Sequence, residues 1–332
     1  MRLSTNKNNS TDHTVSIALK PRKKFDRHII GLAIFLAVIM IIMSIASNRF
    51  LTYHNLFNVL RQSVFIMILG FGMTFVLSTG GIDLSVGSVV GISGGMTAWL
   101  LTNDVNIFIA ILAGLVVGLI VGVINGLLIT KLRLSPFIAT LAMLSIARGI
   151  LYVWTRAIPF RGYMKQNFDF LGQGNLFGIQ IPVLVAIIVF VILLYIYRRM
   201  RFGRHVLAFG SNEESARLSG INIDNLRIKV YALSGLTAAV SGIVLSSRLT
   251  TVHPEMGTGY ELEAIAAAVI GGTSLSGGKG SMTGTVLGAI ILYVIKNGMN
   301  LLNIHPYWET IVVGLIILVA VTMERFGQVR KA

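Results

Sequence analysis

Acidic side chains beside long apolar runs are the residues of this sequence most able to do chemistry. Asp83 lies in a Gly-rich turn between two such runs, and Glu261 and Glu263 open a third. An ionisable group at membrane depth is costly unless it is paired, hydrated or facing a cavity. Two interpretations stand side by side: each carboxylate lines a gate or pathway, or it caps a helix at a wetted end. With Gly271 and Gly272, these acids form the predicted pathway or gate.

The sequence contains no motif that predicts an enzymatic activity. Gly278 and Lys279 resemble the end of a phosphate-binding loop, but that pattern needs Gly and Ser or Thr where Thr273 and Gly280 stand. The six histidines lack metal-ligand spacing, and the absence of cysteine removes thiolate sites. We therefore predict no catalytic residue, metal or cofactor, and we expect ATP hydrolysis, if it drives this protein, to lie on another subunit.

One polar segment, residues 198–229, lies between long apolar runs. Within it, residues 212–218 predict a short helix that Asn212 can cap, with Glu213 and Glu214 at its positive end. Gly220 follows as a stop signal. A short capped helix between two spans is typical of a docking element for another protein, and an ordinary surface helix is the alternative.

The composition places the chain in a bilayer. Apolar residues make up 54% and charged residues 12%, with a mean hydropathy of +0.78. A soluble protein carries roughly twice that charged fraction. The net charge of +15 is concentrated at the ends of apolar runs, where anionic lipid headgroups explain it. No basic groove with interleaved aromatics occurs, so no nucleic-acid partner is predicted.

The apolar runs predict an all-α polytopic membrane protein, since about 20 apolar residues cross a bilayer as a helix. A basic tail, residues 1–28, precedes a transmembrane domain over 29–323, and a short tail, 324–332, follows it. We predict about ten spans, the eighth short and broken by glycine: 29–46, 60–79, 84–102, 107–130, 136–155, 181–197, 229–248, 262–277, 281–301 and 307–323.

The basic residues also predict an orientation. With both termini in the cytoplasm, most loop lysines and arginines fall on the inner side, and the 198–229 segment faces the cytoplasm.

Glycines at every fourth position, from Gly114 to Gly126, predict close helix contacts along one face. Two Gly-rich stretches, 80–88 and 271–281, echo each other and favour a duplicated architecture with broken helices, although ten spans do not resolve them into an inverted pair.

Several motifs carry a resemblance to a known family. Glu214, Ser215 and Ala216, with Gly220 four residues further on, resemble the coupling loop of ABC importer permeases, although Ser215 replaces an alanine. Residues 258–280 are similar to the permease subunits of ribose-, xylose- and galactose-type sugar ABC importers. The stretches 80–87 and 209–221 match the same family, so that the resemblance covers about residues 30 to 323.

The resemblance implies a permease of the vitamin-B12-importer-like type with Gly-broken helices, dimeric in the bacterial inner membrane. Its partners would be an ABC ATPase subunit, a periplasmic sugar-binding protein that sets specificity, a second or sister permease, and membrane lipid. The residues that would couple the spans to the ATPase are Glu213, Glu214, Ala216, Arg217 and Gly220.

Other functions remain open at this point. A branched-chain amino-acid or nucleoside importer permease shares Gly-rich helix breaks. An ion-coupled secondary transporter needs no ATPase, but it is expected to place several acids within its spans, whereas this chain places few. A membrane-embedded enzyme is the third alternative, against which the missing catalytic clusters argue.

Overall fold

The structure is a computed structural model and describes residues 27–163, 167–249 and 251–329. Long helices dominate these ranges, and strands of two residues occur only in the connections around 156–180 and 251–252. The helices are α1 (Arg27–Ala46), α2 (Tyr53–Ser78), α3 (Val86–Thr102), α4 (Ile107–Thr130), α5 (Pro136–Thr155), α6 (Asp169–Gln173), α7 (Ile181–Arg199), α8 (Arg201–Ser211), α9 (Glu213–Leu218), α10 (Ile223–Arg248), α11 (Tyr260–Ile270), α12 (Met282–Leu301) and α13 (Tyr307–Val329). The strands are β1 (Phe160–Arg161), β2 (Asn175–Leu176), β3 (Ile179–Gln180) and β4 (Thr251–Val252), and β1 pairs with β4 and β2 with β3, both antiparallel.

Within the described ranges, seven helices are long and apolar enough to cross a membrane: α1, α2, α4, α5, α7, α10 and α12. Helix α3 and the first 13 residues of α13 are apolar but shorter. The chain is therefore an all-α polytopic membrane protein, as predicted. The predicted first tail, 1–28, lies outside the described residues except for its last two, and α13 carries the helical backbone to Val329, inside the predicted second tail.

The predicted eighth span, 262–277, is wrong in its extent. The helix there is α11, which has 11 residues and is about 16 Å long at 1.5 Å per residue. That is about half the thickness of a hydrocarbon core. The helix ends at Ile270 because Gly272 adopts a left-handed φ of +91°, a conformation that favours glycine. Residues 271–281 continue as irregular chain.

Two other helices begin earlier than predicted. Helix α10 begins at Ile223 rather than at residue 229, because the Asn222 side chain accepts a hydrogen bond from Asn225 N at 2.9 Å and caps the helix within the polar segment. Helix α2 begins at Tyr53 rather than at residue 60. Its polar first turn is stabilised by Asn55, whose side-chain nitrogen donates to Asn297 Oδ1 at 2.8 Å.

Helices α2 and α10 form the centre of the bundle, and each contacts helices on several sides. The predicted glycine face of α4 lies against α10. A Cβ added at Gly118, Gly122 or Gly126 would lie 2.3–2.6 Å from backbone atoms of α10, and one at Gly114 would lie 2.9 Å from the backbone of α3. The prediction of close helix contact is confirmed. Peripheral helices such as α1 expose large apolar side chains, as helices in lipid do.

Candidate functional site

Helix α9 is the short capped helix that the sequence predicted. Asn212 Oδ1 accepts a hydrogen bond from Ser215 N at 2.8 Å, which satisfies one free amide of the first turn. At the other end, Gly220 adopts a φ of +81°, and Ile221 N donates to Ala216 O at 3.2 Å. This pattern closes a helix C-terminus. We call the side of the molecule that carries α8 and α9 the α9 face.

Helix α9 is fastened to the bundle by its inner side. Ala216 is buried, and the Glu213 carboxylate lies 3.0 Å from Arg217 Nη2 and 2.8 Å from Arg227 Nη2 on α10. The Arg227 guanidinium in turn lies 4.8 Å from the ring centroid of Phe209 on α8. Glu213 therefore connects α9 with α10 rather than pointing outward.

The outer side of α9 is formed by Glu214 and Leu218, which are four residues apart and share one helix face. Glu214 is exposed, and Leu218 is 83% exposed. The sequence analysis did not assign a role to Leu218. The signal that could have identified Leu218 is its apolar side chain within the polar 198–229 segment, four positions after the acidic Glu214.

The two Gly-rich stretches meet at the end of α8. Gly278 N donates to Ser78 O at 2.9 Å, which joins the 271–281 segment to the end of α2. A Cβ at Gly210 would lie 1.8 Å from Ser78 O and 2.6 Å from Gly278 N. A Cβ at Gly277 would lie 2.9 Å from Gly80 N. A Cβ at Gly210 or Gly277 would overlap these neighbours, so α8 packs directly on both Gly-rich stretches.

Asp83 lies in the connection between α2 and α3 and is 1% exposed. Its carboxylate accepts hydrogen bonds from Ser85 N at 3.0 Å, Ser85 Oγ at 2.7 Å and Ser234 Oγ at 2.8 Å. Asn125 Nδ2 donates to Ser85 Oγ at 2.8 Å. Asp83 is therefore not at a wetted helix end. It belongs to a buried polar network that joins the connection to α4 and α10, as buried polar groups require.

Glu261 and Arg148 both lie against Gly87 at the start of α3. A Cβ at Gly87 would lie 2.0 Å from Glu261 Oε2, so the carboxylate packs directly on that glycine. Arg148 donates to the carbonyl oxygens of Pro254 at 2.6 Å, Met256 at 2.9 Å and Gly87 at 3.3 Å. The partner of Arg148, which the sequence left open, is therefore a set of backbone carbonyls that hold the α10–α11 connection against α3.

Glu263 forms a third cluster, between α11, α12 and α13. Lys296 Nζ lies 2.8 Å from Glu263 Oε1 and 3.4 Å from Glu309 Oε2, and the Tyr293 hydroxyl donates to Glu263 Oε2 at 3.2 Å. Glu263 is buried, so this is a paired charge in the interior. Among the described residues, no hydrogen bond or ion pair joins the Asp83, Glu261 and Glu263 clusters, and each acid has its own partners.

Gly271 and Gly272 lie at the end of α11 in close packing. A Cβ at Gly271 would lie 2.4 Å from the carbonyl carbon of Gly284 at the start of α12. A Cβ at Gly272 would lie 2.6 Å from the His28 ring, which is within 3.2 Å of Ile270 O. Both glycines permit close contact of α11 with its neighbours. In the described part of the chain, no group of three His, Cys, Asp or Glu side chains is placed to hold a metal ion.

The face opposite α9 carries the connection between α5 and α7. The Tyr163 hydroxyl donates to Ser246 O at 2.9 Å and to Leu249 O, which fixes this connection on the end of α10. Burial raises the pKa of the Tyr163 hydroxyl, which therefore stays protonated as a donor. Between β2 and β3, Phe177 is almost fully exposed. This face therefore presents an exposed aromatic ring in the turn between β2 and β3.

A cavity of about 700 Å³ opens beside α9, and the sequence analysis predicted no site there. It lies between the inner side of α9, the start of α10 and the connection from α4 to α5. Its lining residues are Ile129, Thr130, Arg133, Leu134, Ser135, Pro136, Glu213, Arg217, Asp224 and Arg227. Both polar and apolar groups line this cavity, and its charged residues include the ion pairs that hold α9.

Comparison with known proteins adds an independent finding. Residues 55–321 match the family described as branched-chain amino acid transport system, permease component. The ribose import permease protein RbsC of Bacillus subtilis is 44% identical over 291 residues, which cover 87% of this chain and 90% of the relative. That of Escherichia coli is 42% identical over 298 residues, with 89% and 93% covered. The L-arabinose transport system permease protein AraH of Escherichia coli is 38% identical over 301 residues, with 91% and 92% covered.

Proposed function

The chain belongs to the family of branched-chain amino acid transport system permease components, and we propose that it is the permease subunit of an ATP-driven importer for ribose or a related monosaccharide. The observation that carries this proposal is its identity of 42–44% with ribose import permeases over nearly the whole length of both chains. The similarity to an arabinose permease supports a monosaccharide rather than one particular sugar. ATP hydrolysis belongs to a separate subunit.

The α9 face is the cytoplasmic face in this proposal, and both termini lie on that side. Helix α9 is the element on which the ATPase docks, with Glu214 and Leu218 exposed toward it and Arg217 beside them, exposed but paired with Glu213. Glu213 and Ala216 hold the helix to the bundle, and Gly220 lets the chain turn into α10. These roles follow from which side chains face outward and which face the bundle.

Coupling runs from α9 through α8 to the Gly-rich stretches. When the ATPase closes, it displaces α9 and, with it, the end of α8 at Gly210. Because Gly210 packs without a gap on Ser78 and Gly278, the displacement reaches the end of α2 and the 271–281 segment. These connect to the Asp83 turn and to the half-length helix α11. We place the translocation pathway beside these two helix breaks, with Asp83, Glu261, Glu263, Gly271 and Gly272 holding the elements that move.

The remaining partners follow from the same assignment. A second copy of this chain or a sister permease completes the pathway in the bacterial inner membrane, and lipid covers the exposed apolar helices. A periplasmic sugar-binding protein docks on the face opposite α9 and delivers the sugar. A neutral sugar needs no charged binding site, which agrees with three acids that are all engaged in local hydrogen bonds or ion pairs.

Reconstitution tests the proposal directly. The permease, its ATPase and the binding protein in proteoliposomes are expected to take up labelled ribose, arabinose, xylose or galactose only with ATP and binding protein present. Labelled leucine serves as the control for the amino-acid alternative. Uptake that does not need ATP would assign the chain to the secondary transporters, and uptake of leucine alone would refute the monosaccharide assignment.

A further inference from the structure

The cavity beside α9 carries more positive than negative charge. Glu213 is shared by Arg217 and Arg227 at 3.0 and 2.8 Å, so one carboxylate balances only one of these two guanidinium groups. Asp224 lies 3.9 Å from Lys131 at the edge of the cavity. Arg133 makes no ion pair with any residue that the structure describes. The cavity therefore holds an excess of cationic donors within a volume of about 700 Å³.

The backbone of the α4–α5 connection adds to this positive potential. Ser135 precedes α5 but its side chain makes no capping hydrogen bond, and Pro136 is at the first helical position. The free amides of the first turn therefore remain at the end of a helix of 20 residues, whose dipole is positive there. Arg133, two residues before the helix cap, adopts a φ of +54°. This fold of the connection brings Arg133 and the start of α5 to the same cavity wall.

Exposed apolar side chains flank, in the sequence, the part of the α4–α5 connection that lines the cavity. Leu132, Phe137 and Ile138 are all exposed, and they lie on the same connection and the first turn of α5. Both adjoining helices, α4 and α5, are candidate membrane spans whose apolar side chains are exposed along their length. A cationic cavity with an apolar margin at the end of two membrane helices has the chemistry of an interfacial phosphate site.

We propose that this cavity binds the phosphate group of an anionic phosphate ester. Arg133 is its first ligand, since no carboxylate competes for it, and Arg217 contributes from α9. Planar guanidinium groups suit phosphate because two N–H donors can contact two oxygens at once. The phosphate can come from an anionic phospholipid of the leaflet on the α9 face or from a soluble phosphate ester, and the apolar margin favours the lipid.

Occupancy would have a mechanical consequence. A phosphate held by Arg133 and Arg217 joins the α4–α5 connection to α9, which are otherwise separated by the cavity. It also competes with Glu213 for Arg217. Binding would therefore change how firmly α9 is held to the bundle. This inference concerns an accessory ligand and stands apart from which substrate the permease carries.

Thermal unfolding of the full-length permease in neutral detergent tests the site. The midpoint is followed against three probes: short-chain phosphatidylglycerol, short-chain phosphatidylcholine, and inorganic phosphate. A ligand that binds only the folded state raises the midpoint by mass action. We expect phosphatidylglycerol, inorganic phosphate or both to raise the midpoint at concentrations at which phosphatidylcholine does not, and the stronger of the two identifies the source.

A matched pair of variants locates the binding. Arg133→Asn removes the charge with a residue that tolerates a left-handed backbone, and Arg201→Asn removes an exposed charge from α8 outside the cavity lining. We expect the apparent Kd to rise about tenfold or more in the first variant, as for loss of a hydrogen bond to a charged group, and to stay unchanged in the second. Equal protection by all three probes, protection by none, or unchanged affinity in Arg133→Asn would overturn the proposal.

Discussion

Replacing Leu218 with alanine is expected to weaken binding of the ATPase without weakening the permease itself. The side chain is 83% exposed, so its truncation removes little packing from the isolated chain. Alanine has three fewer carbons, worth about 0.8 kcal/mol each when they become buried. If the partner covers the exposed part, the substitution costs about 2 kcal/mol of docking energy. That corresponds to a Kd roughly 30-fold higher.

The assay is titration of detergent-solubilised permease with its purified ATPase, together with thermal unfolding of each permease variant. Leu302→Ala is the matched control, because Leu302 is an exposed leucine in the turn after α12, on the face opposite α9. We expect unchanged unfolding midpoints for both variants and a raised Kd for Leu218→Ala alone. Equal ATPase affinity of Leu218→Ala and the unmodified chain would refute the assignment of this side chain to the docking surface.

Three further substitutions probe other parts of the proposed function. Glu214→Lys is expected to abolish ATP-driven uptake while the unfolding midpoint stays constant, since this exposed carboxylate makes no ion pair in the described structure; loss of folding would contradict this. Gly210→Ala is expected to lower uptake per ATP hydrolysed, because its Cβ would lie 1.8 Å from Ser78 O, whereas Gly149→Ala, whose Cβ would meet no atom within 4 Å, leaves it unchanged. Lys296→Met is expected to destabilise the fold by roughly 3–5 kcal/mol, because Glu263 remains buried without its cation. Adding Glu263→Gln should recover part of that loss in a denaturation assay, and strictly additive effects would exclude coupling between the two.

The long apolar runs with clear end signals were predictable from the sequence. Helices α4 and α5 have the predicted boundaries, because Asn106 accepts a hydrogen bond from Phe108 N at the start of one and Pro136 opens the other. Helix α9 was equally clear, since its acids, its Asn212 cap and Gly220 lie close together in the sequence. Local chemistry specifies these boundaries, and tertiary packing does not shift them.

The extent of α11 could not be predicted from the same signals. The run 262–277 is apolar, and its glycines predicted a short, broken span, but they did not identify the residue at which the helix ends. The helix ends where Gly272 adopts a left-handed φ, and Gly271 beside it packs against the start of α12. Helix α8 was likewise part of a predicted loop, because its burial depends on the end of α2.

The hydrogen-bond partners of the acidic residues could not be predicted from the sequence either. From the sequence, each acid could line a membrane pathway or lie at a wetted helix end. Charged residues were the only partners that the sequence singled out for these carboxylates. Asp83 instead accepts hydrogen bonds from the hydroxyls of Ser85 and Ser234, which are 2 and 151 residues further along the chain. Uncharged donors are common in any sequence, so their abundance gives no signal for the pair that forms.

The hydrogen bonds of Arg148 explain why helix α5, a candidate membrane span, carries a full positive charge. Non-helical backbone at membrane depth is tolerated only where its polar groups are satisfied within the protein. The connection from α10 to α11 leaves the carbonyls of Pro254 and Met256 without helical partners, and the guanidinium supplies donors to both and to Gly87. A carboxylate partner would have competed for those same donors. The positive charge of Arg148 is therefore part of the backbone hydrogen bonding of the irregular connection between α10 and α11.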